Sequence, residues 1–274
     1  MMPIKTNFAL VSYGYSQGNI LIDKSLPIEG LDASINSVTL GFARSFKLFK
    51  SLATFDVALP YAIGNWQGLV EDIDTSTNRN GIGDPLAHLS FILINGPALN
   101  PSEFAPYTLK KFRLGVQLGL RIPLGQYDSS KLINLGANRW AIKGGVGASY
   151  RINRFVLESH IDTWFFSTNK DFFGGNTVRQ RPIFSGQFNT SYIFKKGLWL
   201  SASIGGSTSG EISLNGERFK NTQNNTRFGL VFALPISKRS GFKFVYTNGL
   251  LVRYGTDFDT FLLIYQFRWF DKPN

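Results

Sequence analysis

Apolar and polar positions alternate along most of this chain. The clearest stretch is Ala137 to Phe166. In its first arm Trp140, Ile142, Val146, Ala148 and Tyr150 share one parity, and Arg139, Lys143, Gly145, Gly147 and Ser149 share the other. After the turn at Arg151-Ile152-Asn153, Phe155, Leu157, Ile161 and Phe165 continue the apolar set, opposite Glu158, His160 and Asp162. A strand sends alternate side chains to opposite faces, so this pattern predicts a hairpin with one greasy and one polar face. A soluble sandwich would bury the greasy face in a core. A transmembrane barrel would turn it to lipid and the polar face to a wet lumen.

The same alternation predicts further strands at Phe8–Ser16, Ser34–Phe46, Leu52–Ile63, Asp84–Ile94 and Leu109–Pro123. It continues at Ile183–Phe194, Leu198–Ser207, Arg227–Ile236, Phe242–Tyr254 and Phe258–Phe270. The strand from Leu109 is the most regular. Phe112, Leu114, Val116, Leu118, Leu120 and Ile122 oppose Arg113, Gly115, Gln117, Gly119 and Arg121. Six apolar side chains backed by two arginines fit lipid against lumen better than a soluble sheet. About twelve strands emerge, joined mostly by alternating long polar and short connections, as in outer-membrane barrels. Stretches such as Gln17–Asp32, Gly64–Gly83, Leu124–Gly136, Ser167–Gln180 and Thr208–Thr222 are expected to be loops. No linker divides residues 1–274, so one domain is expected. The fold class is all-β: a closed antiparallel transmembrane barrel of about twelve strands, with no N-terminal plug.

Composition narrows the chemistry. Of 274 residues, 15% are aromatic, with 28 Gly and no Cys. No run approaches the ~20 apolar residues of a membrane helix, which leaves the barrel open. Without Cys there is no disulfide or thiolate site. The charge of +11, from 29 basic and 18 acidic residues, is scattered rather than run together, as lumen and loop charges would be. No signal peptide is visible in MMPIKTNFALVSYGYS. Tyr265, Phe267 and Trp269 end the chain with YQFRWF, an aromatic strand like those read by the barrel-assembly machinery, although DKPN follows it.

Five segments carry a resemblance: GIGDP at 81–85, GLRIPLGQYD at 119–128, LINLGANRWAIK at 132–143, NTRFGL at 225–230 and YQFRW at 265–269. They resemble the outer-membrane barrels catalogued under the MetA pathway of phenol degradation, which are similar to the fatty-acid channels of the outer membrane. The resemblance implies a bacterial outer-membrane channel for passive uptake of small hydrophobic or aromatic compounds. Unlike the fatty-acid channels, this chain starts its first strand almost at once, so any gate is expected from loops or lumen side chains.

The inward parity nominates a substrate path of Asp56, Arg113, Arg121, Arg139, Lys143, Glu158, His160, Asp162, Arg227, Lys243, Arg253 and Arg268. Glu158, His160 and Asp162 form a column with steps of about 7 Å. A His–carboxylate pair with Ser185 or Ser191 could hydrolyse a substrate. No nucleophile-elbow motif supports that, and the chain is not expected to be an enzyme. The simpler expectation is an ion network in which these carboxylates pair with Arg113, Arg121, Arg139 and Lys143. Asp72, Asp74, Asn78, Asn80 and Asp84 superficially suggest a calcium loop, but Thr77 stands where the EF-hand needs Gly. Neither a metal nor a cofactor is expected. Bases and aromatics lie on opposite faces, which argues against nucleic acid. The expected partners are outer-membrane lipid and lipopolysaccharide, the barrel-assembly machinery and a small-molecule substrate. The competing reading is a closed-lumen barrel, structural or recognising partners through its external loops.

Overall fold

The computed structural model describes residues 1–21, 28–70, 73–219 and 221–271. In chain order its first eight strands are β1 (Thr6–Leu21), β2 (Ile28–Leu48), β3 (Ser51–Val70), β4 (Ile73–Ile82), β5 (Leu86–Ile94), β6 (Phe112–Arg121), β7 (Ala141–Ile152) and β8 (Phe155–Phe166). Then come β9 (Asn169–Phe172), β10 (Asn176–Gln180), β11 (Ile183–Lys195), β12 (Leu198–Ser209), β13 (Ile212–Leu214) and β14 (Glu217–Arg218). The last three are β15 (Gln223–Pro235), β16 (Ser240–Leu251) and β17 (Gly255–Phe270). The barrel is a closed antiparallel sheet of 12 strands. It closes where β1 pairs with β17, from Thr6 opposite Phe270 to Leu21 opposite Gly255. Closure leaves no sheet edge within the bilayer, where an unpaired backbone group would find no water.

The greasy parity faces outward. Leu40, Leu118, Ile161 and Phe184 are 56%, 52%, 72% and 52% exposed. A continuous apolar belt of that kind is not tolerated in water, so it faces lipid and places the protein in the outer membrane. Aromatic side chains cluster at the end of the short turns and the termini. Phe155 packs edge-on against Tyr192 (5.0 Å), Tyr192 against Phe194 (4.9 Å), and Trp269 stacks on Phe267 (6.0 Å). This is the interfacial girdle expected on the periplasmic side.

The long connections differ from expectation, beginning with the expected loop at 17–32, where β1 runs on to Leu21 and β2 starts at Ile28. The expected loop at 64–83 is strand: β3 runs on to Val70 and pairs with β4 from Tyr61–Ile82 to Val70–Ile73. With β2 at 21 residues and β3 at 20, this flap rises above the membrane. There its outer face meets water, so Asn65, Gln67, Ser76 and Asn78 replace apolar residues and the alternation fades. Finally, the connections after β8 and β12 hold a small second sheet, in the order β14-β13-β10-β9, instead of irregular loop.

The fourth barrel strand is split. β5 pairs with β3 only as far as Leu86 opposite Ala58, and β4 resumes at Ile82 opposite Tyr61. Pro60 lies at that break opposite Gly83-Asp84-Pro85, and neither proline can donate a ladder hydrogen bond. Gly83 N–H donates to the Pro60 carbonyl instead (2.9 Å). On the periplasmic side, residues 1–5 fold across the mouth. Ile4 N–H donates to the Leu99 carbonyl (2.8 Å), and the Pro3 carbonyl accepts from the Thr6 and Ser45 hydroxyls, each at 2.7 Å. Met1 borders a space of about 350 Å³ beside Arg113 and Glu158.

Candidate functional site

The connection between β6 and β7 turns into the barrel mouth, and Asp84 holds it there. Asp84 is buried, 8% exposed. Its Oδ1 accepts the Gly125 amide (3.0 Å) and its Oδ2 the Ala137 amide (2.9 Å). Gly125 and Gly136 touch at this point: a Cβ on Gly136 would stand 2.7 Å from the Gly125 carbonyl carbon. Gln126 N–H donates to Ile82 and Gly136 N–H to Gln126 (2.8 and 2.9 Å). The segments 81–85, 119–128 and 132–143, read separately as family motifs, therefore meet in one junction. Farther along the same loop, Ile133 and Leu135 pack on a buried cluster of Leu31, Ala33, Trp66 and Phe258. Gly64 leaves room for that indole; a Cβ there would come within 2.7 Å of Trp66 Cζ3.

The inward loop and the small outer sheet enclose a cavity of about 390 Å³ at the outer mouth. Its lining includes Tyr127, Leu132, Phe172, Val178, Ile212, Leu214 and Phe219, with Arg139 on the wall. Tyr127 ties the two parts together by donating to the Asp171 carbonyl (2.8 Å) and accepting from Asn169 (3.0 Å). The sequence pattern gave no sign of this cavity, because its residues come from four connections and alternate with nothing.

Below it, the side chains of the inward parity have partners other than the expected ones. The expected ion network is not formed: among the described residues the one lumen pair is Asp56 with His88, 3.0 Å from Nδ1. The other bases turn to aromatic faces and neutral acceptors. Arg121 Cζ and Lys143 Nζ lie 5.7 and 5.5 Å from the Trp164 ring centre, and Arg139 lies 4.8 Å from that of Phe166. Such stacking stabilises a cation where water is scarce. Arg113 donates to Ser149 Oγ (2.9 Å), and Asp162 accepts from Gln117. Lys243 stands over Trp199 (6.0 Å), and Arg227 donates to the Thr256 carbonyl and hydroxyl. Arg253 is exposed on the outer connection beside Tyr254, and Arg268 reaches the Lys238 carbonyl at the periplasmic rim. These two sit at the barrel's ends rather than along its bore.

His160 packs on Gly147, where a Cβ would stand 2.5 Å from Nδ1. Ser185 Oγ points to the Asp162 carbonyl and Ser191 Oγ to Ser201, so neither serine is presented to His160. Three of the suspected calcium residues, Asp74, Asn78 and Asn80, lie along extended β4 with exposed side chains. Asp84 is occupied by the loop, and Asp72 lies outside the described residues. No group of three or more potential metal ligands occurs among the described residues.

His88, Trp164 and Phe166 were not among the sequence candidates. Trp164 and Phe166 share the parity of Glu158, His160 and Asp162, a signal available in the sequence but masked by their apolar character. Arg139, outside the strands, is lowered to about 10 by burial first and by neighbouring Arg121 second, with Asp84 acting the other way.

Comparison with known proteins agrees with this architecture. The COG4313 outer membrane channel from Pseudomonas putida F1 superposes with a TM-score of 0.83 at 18% identity, over 98% of this chain and 97% of that one. The translocator domain of the autotransporter NalP from Neisseria meningitidis gives 0.57 at 10% identity, over 96% and 88%. At these identities the likeness is one of fold. No curated protein matches the sequence. Residues 13–270 match the family described as "Putative MetA-pathway of phenol degradation", and the chain belongs to that family.

Proposed function

We propose that this protein is an outer-membrane channel for passive uptake of small apolar or aromatic compounds. The observation that carries the reading is the 390 Å³ cavity at the outer mouth. It lies within the roughly 300–1,000 Å³ of small-molecule sites, has a mainly apolar lining, and stands above a polar lumen. A greasy solute leaves water there before it meets the bore. Two comparisons support the reading: the family is described by phenol degradation, and the similar structure from P. putida is named an outer membrane channel. Arg113, Arg121, Lys143, Glu158, His160 and Asp162 line the path below and set its selectivity. The aromatic face of β17, with Tyr265, Phe267 and Trp269, supports recognition by the barrel-assembly machinery during insertion.

Purified protein in liposomes tests the reading by swelling assays and single-channel recording. Flux of small aromatic solutes is expected, with a small unitary conductance. Absence of permeation by any small solute overturns it and favours a closed barrel acting through the outer sheet of β9, β10, β13 and β14.

A further inference from the structure

Among the described residues the lining of the outer cavity carries one charged side chain, Arg139. Its position is fixed from two sides, by Gln180 and Phe166. Nη2 donates to Gln180 Oε1, Gln180 Nε2 is held by the Gly210 carbonyl (3.0 Å), and the guanidinium lies over Phe166. Nη1 is shut off from solvent and has no hydrogen-bond partner among the described residues. Asp84 cannot supply one, because both its oxygens are engaged by the Gly125 and Ala137 amides.

A half-buried cation with an unsatisfied donor, bordering an apolar cavity, is costly unless something negative approaches it. The guanidinium keeps its charge at neutral pH, since burial and Arg121 lower it only to about 10. Arg121 and Lys143 continue the positive charge inward, both over Trp164 and, among the described residues, neither in an ion pair with a carboxylate. The first acid below them, Asp162, is bonded to Gln117.

We infer that the solute taken by this cavity is an amphipathic acid. Its apolar or aromatic body fills the space between the inward loop and the outer sheet, and its carboxylate sits on Arg139 before passing to Arg121 and Lys143. A planar guanidinium suits a carboxylate, since it offers parallel N–H donors. The stacked rings keep the cations oriented without neutralising them, so the acid meets positive charge that Asp84 offsets only in part. This inference rests on the channel reading and narrows its substrate class.

Equilibrium binding to protein in lipid nanodiscs tests it, with benzoate compared against benzyl alcohol at pH 7.5. The two share ring and size and differ in charge. Wild type is expected to prefer benzoate by about tenfold or more, as one charge-assisted hydrogen bond allows. R139Q should erase the preference while still binding benzyl alcohol, and R139K should restore part of it. Heat-modifiable migration on gels confirms that each variant is a folded barrel. Equal binding of the two probes, no binding of either, or a preference that survives in R139Q overturns the inference. If wild type passes solutes yet shows no preference, the anion claim alone falls. If it binds benzoate selectively yet passes no solute, the channel reading falls and the anion site stands.

Discussion

Asp84 Oδ2 accepts the backbone amide of Ala137 at 2.9 Å, across 53 residues of chain. With the matching bond from Gly125, this buried carboxylate fastens both ends of the inward loop to the break between β4 and β5. Hydrogen bonds to a charged group contribute about 1.5–3 kcal/mol each, so Asp84→Ala should release the loop while leaving the barrel wall paired. A raised single-channel conductance and faster proteolysis between residues 122 and 140 are expected. Unchanged conductance would show that this loop does not restrict the bore.

Leu118 and Gln117 are neighbours on β6 that face opposite media. Leu118 is 52% exposed on the lipid side, and Gln117 reaches Asp162 in the lumen. Leu118→Arg should destabilise the barrel by about 2–4 kcal/mol if it lies near the bilayer midplane. Asn189→Arg, on the lumen face of β11, should cost much less, since its side chain stays wet. Denaturant unfolding in lipid measures both. Similar losses for the two variants would contradict the assigned faces.

Strand parity was readable from sequence wherever lipid pressed on one face. Leu114, Val116, Leu118 and Leu120 could face nothing but lipid once Arg113, Gln117 and Arg121 faced the lumen. The same logic fails above the membrane. Asn65, Gln67, Asn78 and Asn80 meet water on their outer side, so β4 and the upper part of β3 look like loop. The outer cavity was invisible because Tyr127, Phe172 with Val178, and Phe219 converge from three separate connections, which no local period records. The charges of the inward parity take partners other than the expected ones, and Arg253 and Arg268 lie at the barrel's ends. Parity says which face a side chain takes, not that Arg121 and Lys143 will settle over Trp164 instead of beside Asp162.

Asp128 shapes the tip of the inward loop by accepting from the Ser130 amide (3.0 Å) and hydroxyl (2.6 Å), with Lys131 Nζ 3.1 Å away. The Ser130 bonds, hydroxyl first, and then Lys131 lower its carboxyl from 3.8 to about 2. A depressed acid stabilises the folded loop above its ordinary value and loses that contribution as pH falls through the folded one. The loop tip should therefore hold its shape down to about pH 3 and loosen near pH 2. A carbon-13 titration of the Asp128 carboxyl in micelles should give a midpoint near 2. A midpoint near 3.8 would mean that the turn is not formed in solution.

At the opposite end, Asp271, the first residue after the aromatic strand, ties the barrel seam. It lies 2.5 Å from Arg44 on β2 and accepts from Asn7 Nδ2 on β1 at 2.8 Å, while Arg44 also donates to Asn7 Oδ1 at 3.1 Å. Three neighbouring strands are thus joined at the seam where the first meets the last. Arg44 and Asp271 are 45% and 31% exposed, so water screens their attraction and a coupling of at most about 1 kcal/mol is expected. Asn7 is 1% exposed, and Asp271→Ala strands its amide without an acceptor. Arg44→Ala likewise leaves Asn7 Oδ1 without its donor, so each single variant should cost more than the roughly 1 kcal/mol of the exposed ion pair alone. Unfolding of both single variants and the double variant in lipid separates these contributions. Losses of about 1 kcal/mol or less for both single variants would show that Asn7 takes no part in the closure.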